Sequence, residues 1–137
     1  MQFTRKGDYA LRAMVYLTEA KSDSPHTIDE ISGQSKIPRH FLAKILRDLT
    51  RANLLIAAKG ARGGYLLARR PSEISLLEVI EATVGPMTLN LCVDGEDRCP
   101  ESSSCELYPV WRKAARAMVN VFGTTKLSGL HRKKNII

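Results

Sequence analysis

The chain has 137 residues, the size of one domain, and 44% of them are hydrophobic, which is enough for a core. This composition excludes a chain that is disordered throughout, and no apolar run reaches the roughly 18–20 residues of a membrane span. The formal net charge is +7, and it is concentrated: residues 36–70 contain nine Lys or Arg and one acid, so they carry +8 and the rest carries −1. Such a concentration indicates a polyanionic partner.

The first two predicted elements are helices with recognisable starts. Thr4 is a suitable N-cap for a helix that runs to about Ala20, with apolar residues at helical spacing. Thr27 and Glu30 then form a capping box, which predicts a second, shorter helix. His26, just before this box, is expected to lie on the surface of the turn between the two helices.

The third predicted helix has one apolar side and one basic side. It runs from Pro38, which suits the first turn of a helix, to about Ala52. Its predicted buried side consists of Phe41, Leu42, Ile45, Leu46 and Leu49, and its outer side carries Arg39, His40, Ala43, Lys44 and Arg47. Two short helices joined by a turn, the second basic on its outer side, predict a helix-turn-helix.

A β-hairpin is predicted directly after this third helix. Two short apolar runs, residues 54–58 and 64–68, are joined by a glycine-rich tip that contains Lys59, Arg62 and Gly63. Glycine allows a tight turn and a close approach to a DNA groove, while the two cations attract phosphate. No helix follows at once, so a nucleotide-binding loop is excluded. The pattern predicts the wing of a winged helix, and we expect DNA contacts from Arg39, His40, Lys44, Arg47, Lys59, Arg62 and Gly63.

The last third of the chain is predicted to contain two further helices. Ser75 and Glu78 form a second capping box, and a long helix of about residues 106–122 precedes one more turn. The apolar stripe of the long helix has little to pack against in so small a fold, which favours a homodimer interface over a cover for the core. A dimer reads two half-sites about one DNA turn apart, so the operator is expected to be pseudo-palindromic. The side chains of Tyr65 and Trp111 are assigned to the core.

The predicted fold class is mainly α with a small β-hairpin: a winged helix-turn-helix followed by a long C-terminal dimerisation helix. Four segments are expected: the DNA-binding domain (1–84), a cysteine loop (85–105), the dimerisation helix with a final turn (106–130) and a basic tail (131–137). The N-terminal residues are polar and charged without a signal-peptide core, so a cytoplasmic location and no membrane partner are expected. In the cytoplasm, cysteines are usually free or metal-bound thiols rather than disulfides.

The three cysteines of the chain, Cys92, Cys99 and Cys105, fall within one short stretch. An odd number of close thiols makes a poor disulfide framework and a reasonable set of soft-metal ligands. The residues alone leave a zinc site, an iron–sulfur cluster and unliganded thiols open, although the tight Cys-x-x-Cys pairs of structural zinc sites are missing. No catalytic pattern stands out, so an enzyme is not expected.

Four stretches of the sequence form a specific combination of motifs: the opening residues 1–10, the wing residues 59–67, the helix start at residues 74–80 and the three-cysteine loop that leads to Trp111 and Arg112. In this order they resemble the IscR, NsrR and RirA group of bacterial winged-helix transcription regulators. The resemblance covers about residues 1–130. It implies a homodimeric, DNA-binding regulator, a repressor, whose cysteine loop holds an iron–sulfur cluster and whose long helix forms the dimer interface.

The resemblance also implies a set of cluster ligands, in which Cys92, Cys99 and Cys105 match the three cluster cysteines. IscR-like members complete a [2Fe–2S] site with a histidine at the position of Tyr108. NsrR-like members can use an aspartate of the partner subunit, and Asp8 occupies that place. A [4Fe–4S] cluster is therefore favoured over [2Fe–2S], with nitric oxide, iron supply or redox state as the signal. The alternative is a cluster-free repressor of the same fold that responds through oxidation of its cysteine thiols.

Overall fold

A computed structural model gives the fold, and it describes residues 4–20, 23–90, 93 and 99–130. In this part of the chain five helices accompany one antiparallel hairpin. The elements are α1 (Arg5–Glu19), α2 (Ile28–Ser35), α3 (Arg39–Arg51), β1 (Leu55–Ala58), β2 (Gly64–Leu67), α4 (Leu76–Thr83) and α5 (Tyr108–Thr124), with 3₁₀ turns at Pro71–Glu73 and Leu127–Gly129. The predicted fold class, mainly α with a small hairpin, is confirmed.

Local side-chain chemistry fixes where the helices begin. The Thr4 hydroxyl accepts a hydrogen bond from the backbone N–H of Gly7 (3.2 Å) at the start of α1. Both predicted capping boxes are present: Thr27 exchanges hydrogen bonds with Glu30, and Ser75 exchanges them with Glu78. Each box satisfies backbone donors that a helix start would otherwise leave unpaired.

The helix-turn-helix is held by one apolar core. Lys36 adopts a left-handed conformation (φ 56°) at the end of α2, and Pro38 is the N-cap of α3 rather than part of its first turn. The buried core residues are Ala10, Ala13, Met14, Leu17, Ile31, Ile37, Leu42, Ile45, Leu46, Leu49, Leu54, Leu55, Ile74, Val79 and Leu127. Burial of a side chain of Leu size stabilises a fold by about 1.5–3 kcal/mol, so this cluster orients α3 firmly.

The segment after α5 returns to the core. Leu127 is fully buried, and its N–H donates to the carbonyl of Ile74 (3.0 Å), while the N–H of Leu76 donates to the carbonyl of Thr125 (3.0 Å). The predicted final turn is thereby confirmed, and it ties the end of α5 to the start of α4.

The wing has a third backbone partner that the sequence did not indicate. Strands β1 and β2 pair from Leu55 with Leu67 to Ala58 with Gly64. Beyond them, His26 and Tyr65 form an antiparallel bridge, in which the N–H of His26 donates to the Tyr65 carbonyl (3.0 Å) and the N–H of Tyr65 to the His26 carbonyl (2.8 Å). The loop before α2 is therefore attached to the wing.

Three predicted side-chain positions were wrong. Phe41 is 47% exposed because it lies on the flank of α3, where the Tyr9 ring of α1 (centroids 6.1 Å apart) and the neighbouring His40 ring (4.3 Å) cover it only in part. Trp111 is 39% exposed because α5 has no buried residue in the single chain. The His26 side chain is only 15% exposed, since its backbone bridge to Tyr65 turns it inward.

The long helix α5 starts two residues later than predicted. Pro109 occupies its first turn, where a missing N–H is tolerated, and turns precede it from Pro100 to Leu107. In the part of the chain that the structure describes, no helix is both long and apolar enough to cross a membrane.

Candidate DNA interface and cysteine site

The outer side of α3 presents the basic residues that the sequence placed there. The side chains of Arg39, His40, Lys44 and Arg47 are all exposed, and Ala43 is partly exposed between them. The opposite side of α3 is buried in the core through Leu42, Ile45, Leu46 and Leu49. The core thus holds a rigid helix with its cations turned to solvent, a suitable geometry for insertion into a major groove.

Two ion pairs attach α3 to its neighbours. The guanidinium of Arg39 donates to the Asp29 carboxylate of α2 (2.7 Å), and the ammonium of Lys6 in α1 donates to Asp48 (2.7 Å). The Arg39 pair is largely exposed, and such pairs contribute only about 0.2–1 kcal/mol, so a DNA phosphate can displace Asp29. Within the described residues, Lys44 and Arg47 form no ion pair, and their side chains are exposed to solvent.

The wing tip is a tight turn that requires glycine. Gly60 has φ +105°, and the N–H of Gly63 donates to the Gly60 carbonyl (2.9 Å). A Cβ at Gly63 would lie 2.6 Å from the carbonyl oxygen of Ala58, so any larger residue would force the turn open. The exposed side chains of Lys59 and Arg62 project from this turn.

A cleft of about 220 Å³ between α1 and α3 extends the basic surface. Its lining consists of Arg5, Lys6, Tyr9, His40, Phe41, Lys44 and Ile45. Sequence reasoning missed Arg5 and Phe41, because the charge count started at residue 36 and the apolar pattern placed Phe41 in the core. The neighbouring cations Arg5 and Lys6 at the start of α1 were the available signal.

The described part of the cysteine loop holds two thiols. Cys99 and Cys105 are free and partly exposed. The N–H of Ser102 donates to the Cys99 carbonyl (3.2 Å), and the N–H of Tyr108 donates to the Cys105 carbonyl (3.2 Å), so a chain of turns leads from the thiols into α5. Cys92 lies outside the described residues. Among the residues described, no three His, Cys, Asp or Glu side chains form a metal-binding group.

Asp8 lies in the first turn of α1, and its side chain is 48% exposed. Its carboxylate accepts a hydrogen bond from the guanidinium of Arg12 one turn later (2.7 Å), and Arg12 also lies 5.7 Å from the centre of the Tyr9 ring. Within one chain the structure therefore pairs Asp8 with Arg12 and not with the described cysteines. Tyr108, at the position of the IscR-type histidine, is the first residue of α5.

A helix-turn-helix with an exposed basic helix, a glycine-tipped wing and a mainly helical core defines a winged-helix DNA-binding protein. Residues 3–133 match the model of the Rrf2 family, described as iron-dependent transcriptional regulators. The chain belongs to the Rrf2 family. It is accordingly a DNA-binding transcriptional regulator and not an enzyme, as the sequence predicted.

Similar proteins of known sequence include several named regulators. The protein aau3 of Rhizobium meliloti is 36% identical over 122 residues, which cover 88% of this chain and 79% of that protein. NsrR of Shouchella clausii is 30% identical over 122 residues, with 88% and 82% covered, and IscR of Xenorhabdus nematophila is 26% identical over 137 residues, with 100% and 83% covered. The resemblance to the IscR and NsrR group is therefore confirmed.

Solved structures show the same fold. CymR of B. subtilis, described as the global cysteine regulator, superposes with a TM-score of 0.77 at 25% identity and covers 94% of this chain and 95% of its own. IscR of T. potens superposes with a TM-score of 0.75 at 22% identity, with 94% and 85% covered. The IscR match supports the fold alone, because its identity is low.

Proposed function

We propose that the protein is a homodimeric repressor that binds a pseudo-palindromic operator in the cytoplasm and senses nitric oxide, iron supply or redox state through an iron–sulfur cluster. The observation that carries the proposal is the position of the free thiols. Cys99 and Cys105 lie in turns that lead directly into α5, so a change at the thiols acts on the helix that we assign to the dimer interface.

The dimer assignment is supported by the exposed apolar side of α5. None of its residues is buried in the single chain. Four exposed apolar side chains on or next to the helix share one side at 100° per residue: Leu107 (59%), Val110 (62%), Trp111 (39%) and Val121 (58%). An apolar surface of this kind is typical of a protein interface. A second copy of the chain would cover it and bring two α3 helices onto half-sites about 34 Å apart.

The donor set fits an iron–sulfur cluster. Cluster iron is usually held by cysteine thiolates, and the two described cysteines are unpaired and reachable from solvent. Cys92, Cys99 and Cys105 would hold three irons, and Asp8 of the partner subunit would hold the fourth. A bound cluster supplies iron that reacts with nitric oxide or oxidants. Since Tyr108 lacks the imidazole of a [2Fe–2S] site, we favour [4Fe–4S].

Asp8 is available for this role at small cost. Its pair with Arg12 is about half exposed, and exposed pairs one helical turn apart contribute only about 0.3–0.5 kcal/mol. A bond to cluster iron outweighs such a pair. As an oxygen ligand beside three thiolates, Asp8 would hold its iron less firmly, so exchange would be easiest there.

On the DNA, α3 and the wing would have separate tasks. Lys44 and Arg47, together with Arg39 and His40 at the start of α3, would approach base edges and phosphates in the major groove. Lys59 and Arg62 would contact the backbone beside it, and Gly63 would allow the wing to come close. Because these contacts neutralise phosphates, affinity should fall steeply as salt increases.

Anaerobic purification, followed by an absorption spectrum and iron and sulfide analysis, tests the proposal. We expect a coloured protein with iron and sulfide, and Cys99→Ala should lose both while it remains a folded dimer. The matched control is Ser103→Ala in the same loop, which should keep the cluster. A colourless, iron-free wild type whose DNA binding changes on thiol oxidation, and returns on reduction, would instead establish the cluster-free repressor, which the free, partly exposed Cys99 and Cys105 also allow.

A further inference from the structure

His26 connects the helix-turn-helix to the wing. Its backbone exchanges two hydrogen bonds with Tyr65 of β2, at 3.0 and 2.8 Å. The two backbones are in close contact, since a Cβ added at the neighbouring Gly64 would lie 2.3 Å from the His26 carbonyl oxygen. Gly64 directly follows the wing tip, so a displacement of His26 is passed to β2 and to the tip.

The imidazole of His26 is held on one side only. Its Nδ1 lies 3.3 Å from the Glu30 carboxylate of α2 and 3.4 Å from the Tyr16 hydroxyl of α1. The two rings meet edge to face, with centroids 5.6 Å apart at 77°. These contacts join α1 and α2 to the residue that carries the wing bridge.

The other ring nitrogen of His26, Nε2, does not stabilise the fold. Nε2 is buried and has no hydrogen-bond partner among the described residues. An unpartnered buried nitrogen disfavours the folded state, and an apolar side chain in this place would avoid that penalty. Core stability alone therefore does not account for a histidine here, whereas the contacts of Nδ1 do account for it.

We propose that His26 is a positioning residue for the wing: its imidazole, held by Tyr16 and Glu30, fixes the segment to which β2 is hydrogen-bonded. It thereby sets the place of Lys59 and Arg62 relative to α3. The inference rests on the proposed contact of the wing with DNA. It predicts that His26 acts on DNA binding through the wing cations and not through the recognition helix.

The test combines amide hydrogen exchange, measured by NMR, with DNA affinity. For His26→Ala we expect exchange of the Tyr65 amide to be at least about tenfold faster, with the amides of α3 unchanged, because only the wing attachment opens. Affinity for DNA should fall about fivefold, and the effect of Arg62→Ala should shrink at least about threefold in this background, since coupled residues are not additive. His26→Asn should largely restore both, because its amide occupies the place of Nδ1.

Controls separate this inference from the proposed function. Asp23→Ala, an exposed substitution in the same loop, should change neither measurement. If His26→Ala does not fold, Tyr16→Phe removes only the hydroxyl and should shift both readouts in the same direction, about twofold. Unchanged Tyr65 exchange, or an equal effect of Arg62→Ala in both backgrounds, would overturn the inference. If Arg62→Ala alone leaves affinity unchanged, the proposed wing contact is wrong, and the exchange result decides the role of His26 by itself.

Discussion

At the scale of single residues, the sensor assignment depends on what Asp8 contacts. In one chain its carboxylate is paired with Arg12 at 2.7 Å, and both side chains are about half exposed. The cluster proposal requires the same carboxylate to leave Arg12 and reach the partner's cysteine loop. Arg12 therefore competes with the cluster for the Asp8 carboxylate. Removing Asp8 and removing Arg12 should have different effects on the lifetime of the cluster.

Asp8→Ala should shorten the lifetime of the cluster in air at least about threefold, because an iron without its protein ligand exchanges more readily. Arg12→Ala removes the competing pair and should leave the lifetime unchanged or longer. Both are followed by the decay of cluster absorbance after exposure to air. Equal decay in Asp8→Ala and wild type would exclude Asp8 as a ligand.

Residue-level prediction from the sequence succeeded where the signal was local. The capping pairs Thr27 with Glu30 and Ser75 with Glu78 are three residues apart, so the sequence determines them almost by itself. The His26 bridge to Tyr65 joins segments 39 residues apart, and the residues around His26 contain no pattern that predicts it. The predicted burial of Phe41 was wrong for a related reason, because the cover over this flank of α3 depends on how α1 packs against it.

At the scale of elements, the start of α4 is set by a capping box in which the surroundings change the pKa of the acid, Glu78. Burial acts to raise the pKa of Glu78, but hydrogen bonds from the Ser75 N–H and the Arg69 guanidinium, together with the charge of Arg69, lower it below its ordinary value. The Arg69 guanidinium lies 2.6 Å from the carboxylate. The charged form of Glu78 is therefore the one that the folded state prefers.

This lowered pKa predicts how stability depends on pH. A group whose pKa is lower in the folded state stabilises the fold above its unfolded pKa, about 4.3 for Glu, and loses that contribution as pH falls through the folded value. Denaturant unfolding between pH 6 and pH 3 should show a smaller loss of stability in Glu78→Gln than in wild type. Glu81→Gln, an exposed change on the same helix, is the control. Parallel pH profiles for Glu78→Gln and wild type would contradict the assignment.

At the scale of the whole molecule, the proposed dimer would join the proposed sensor to the DNA-binding surface. Helix α5 begins three residues after Cys105, and its apolar side chains are exposed in the single chain. The amphipathic pattern predicted this helix, but it misplaced Trp111, because a pattern shows which side chains are apolar and not whether the core covers them. The placement of Cys92 lies outside the described residues, so the three thiols together remain a prediction.

Trp111→Asp should convert the protein to a monomer at micromolar concentration, because a charge would be buried in the apolar interface. Its affinity for a two-half-site DNA should fall at least about tenfold, since only one half-site is then occupied. Arg116→Asp places the same side chain about 140° away on α5 at 100° per residue and should remain dimeric. Light scattering with size-exclusion chromatography measures the mass. A dimeric Trp111→Asp would rule out this side of α5 as the interface.

Control of DNA binding by the cysteine loop requires that the cluster-loaded and the cluster-free protein differ in DNA affinity. Both forms are measured on a sequence that the wild type selects from random DNA. We predict that the two forms of the wild type differ at least about tenfold, equal to about 1.4 kcal/mol, and that Cys99→Ala binds like the cluster-free form under both conditions. Equal affinities for the loaded and cluster-free wild type would show that the cysteine loop does not control DNA binding.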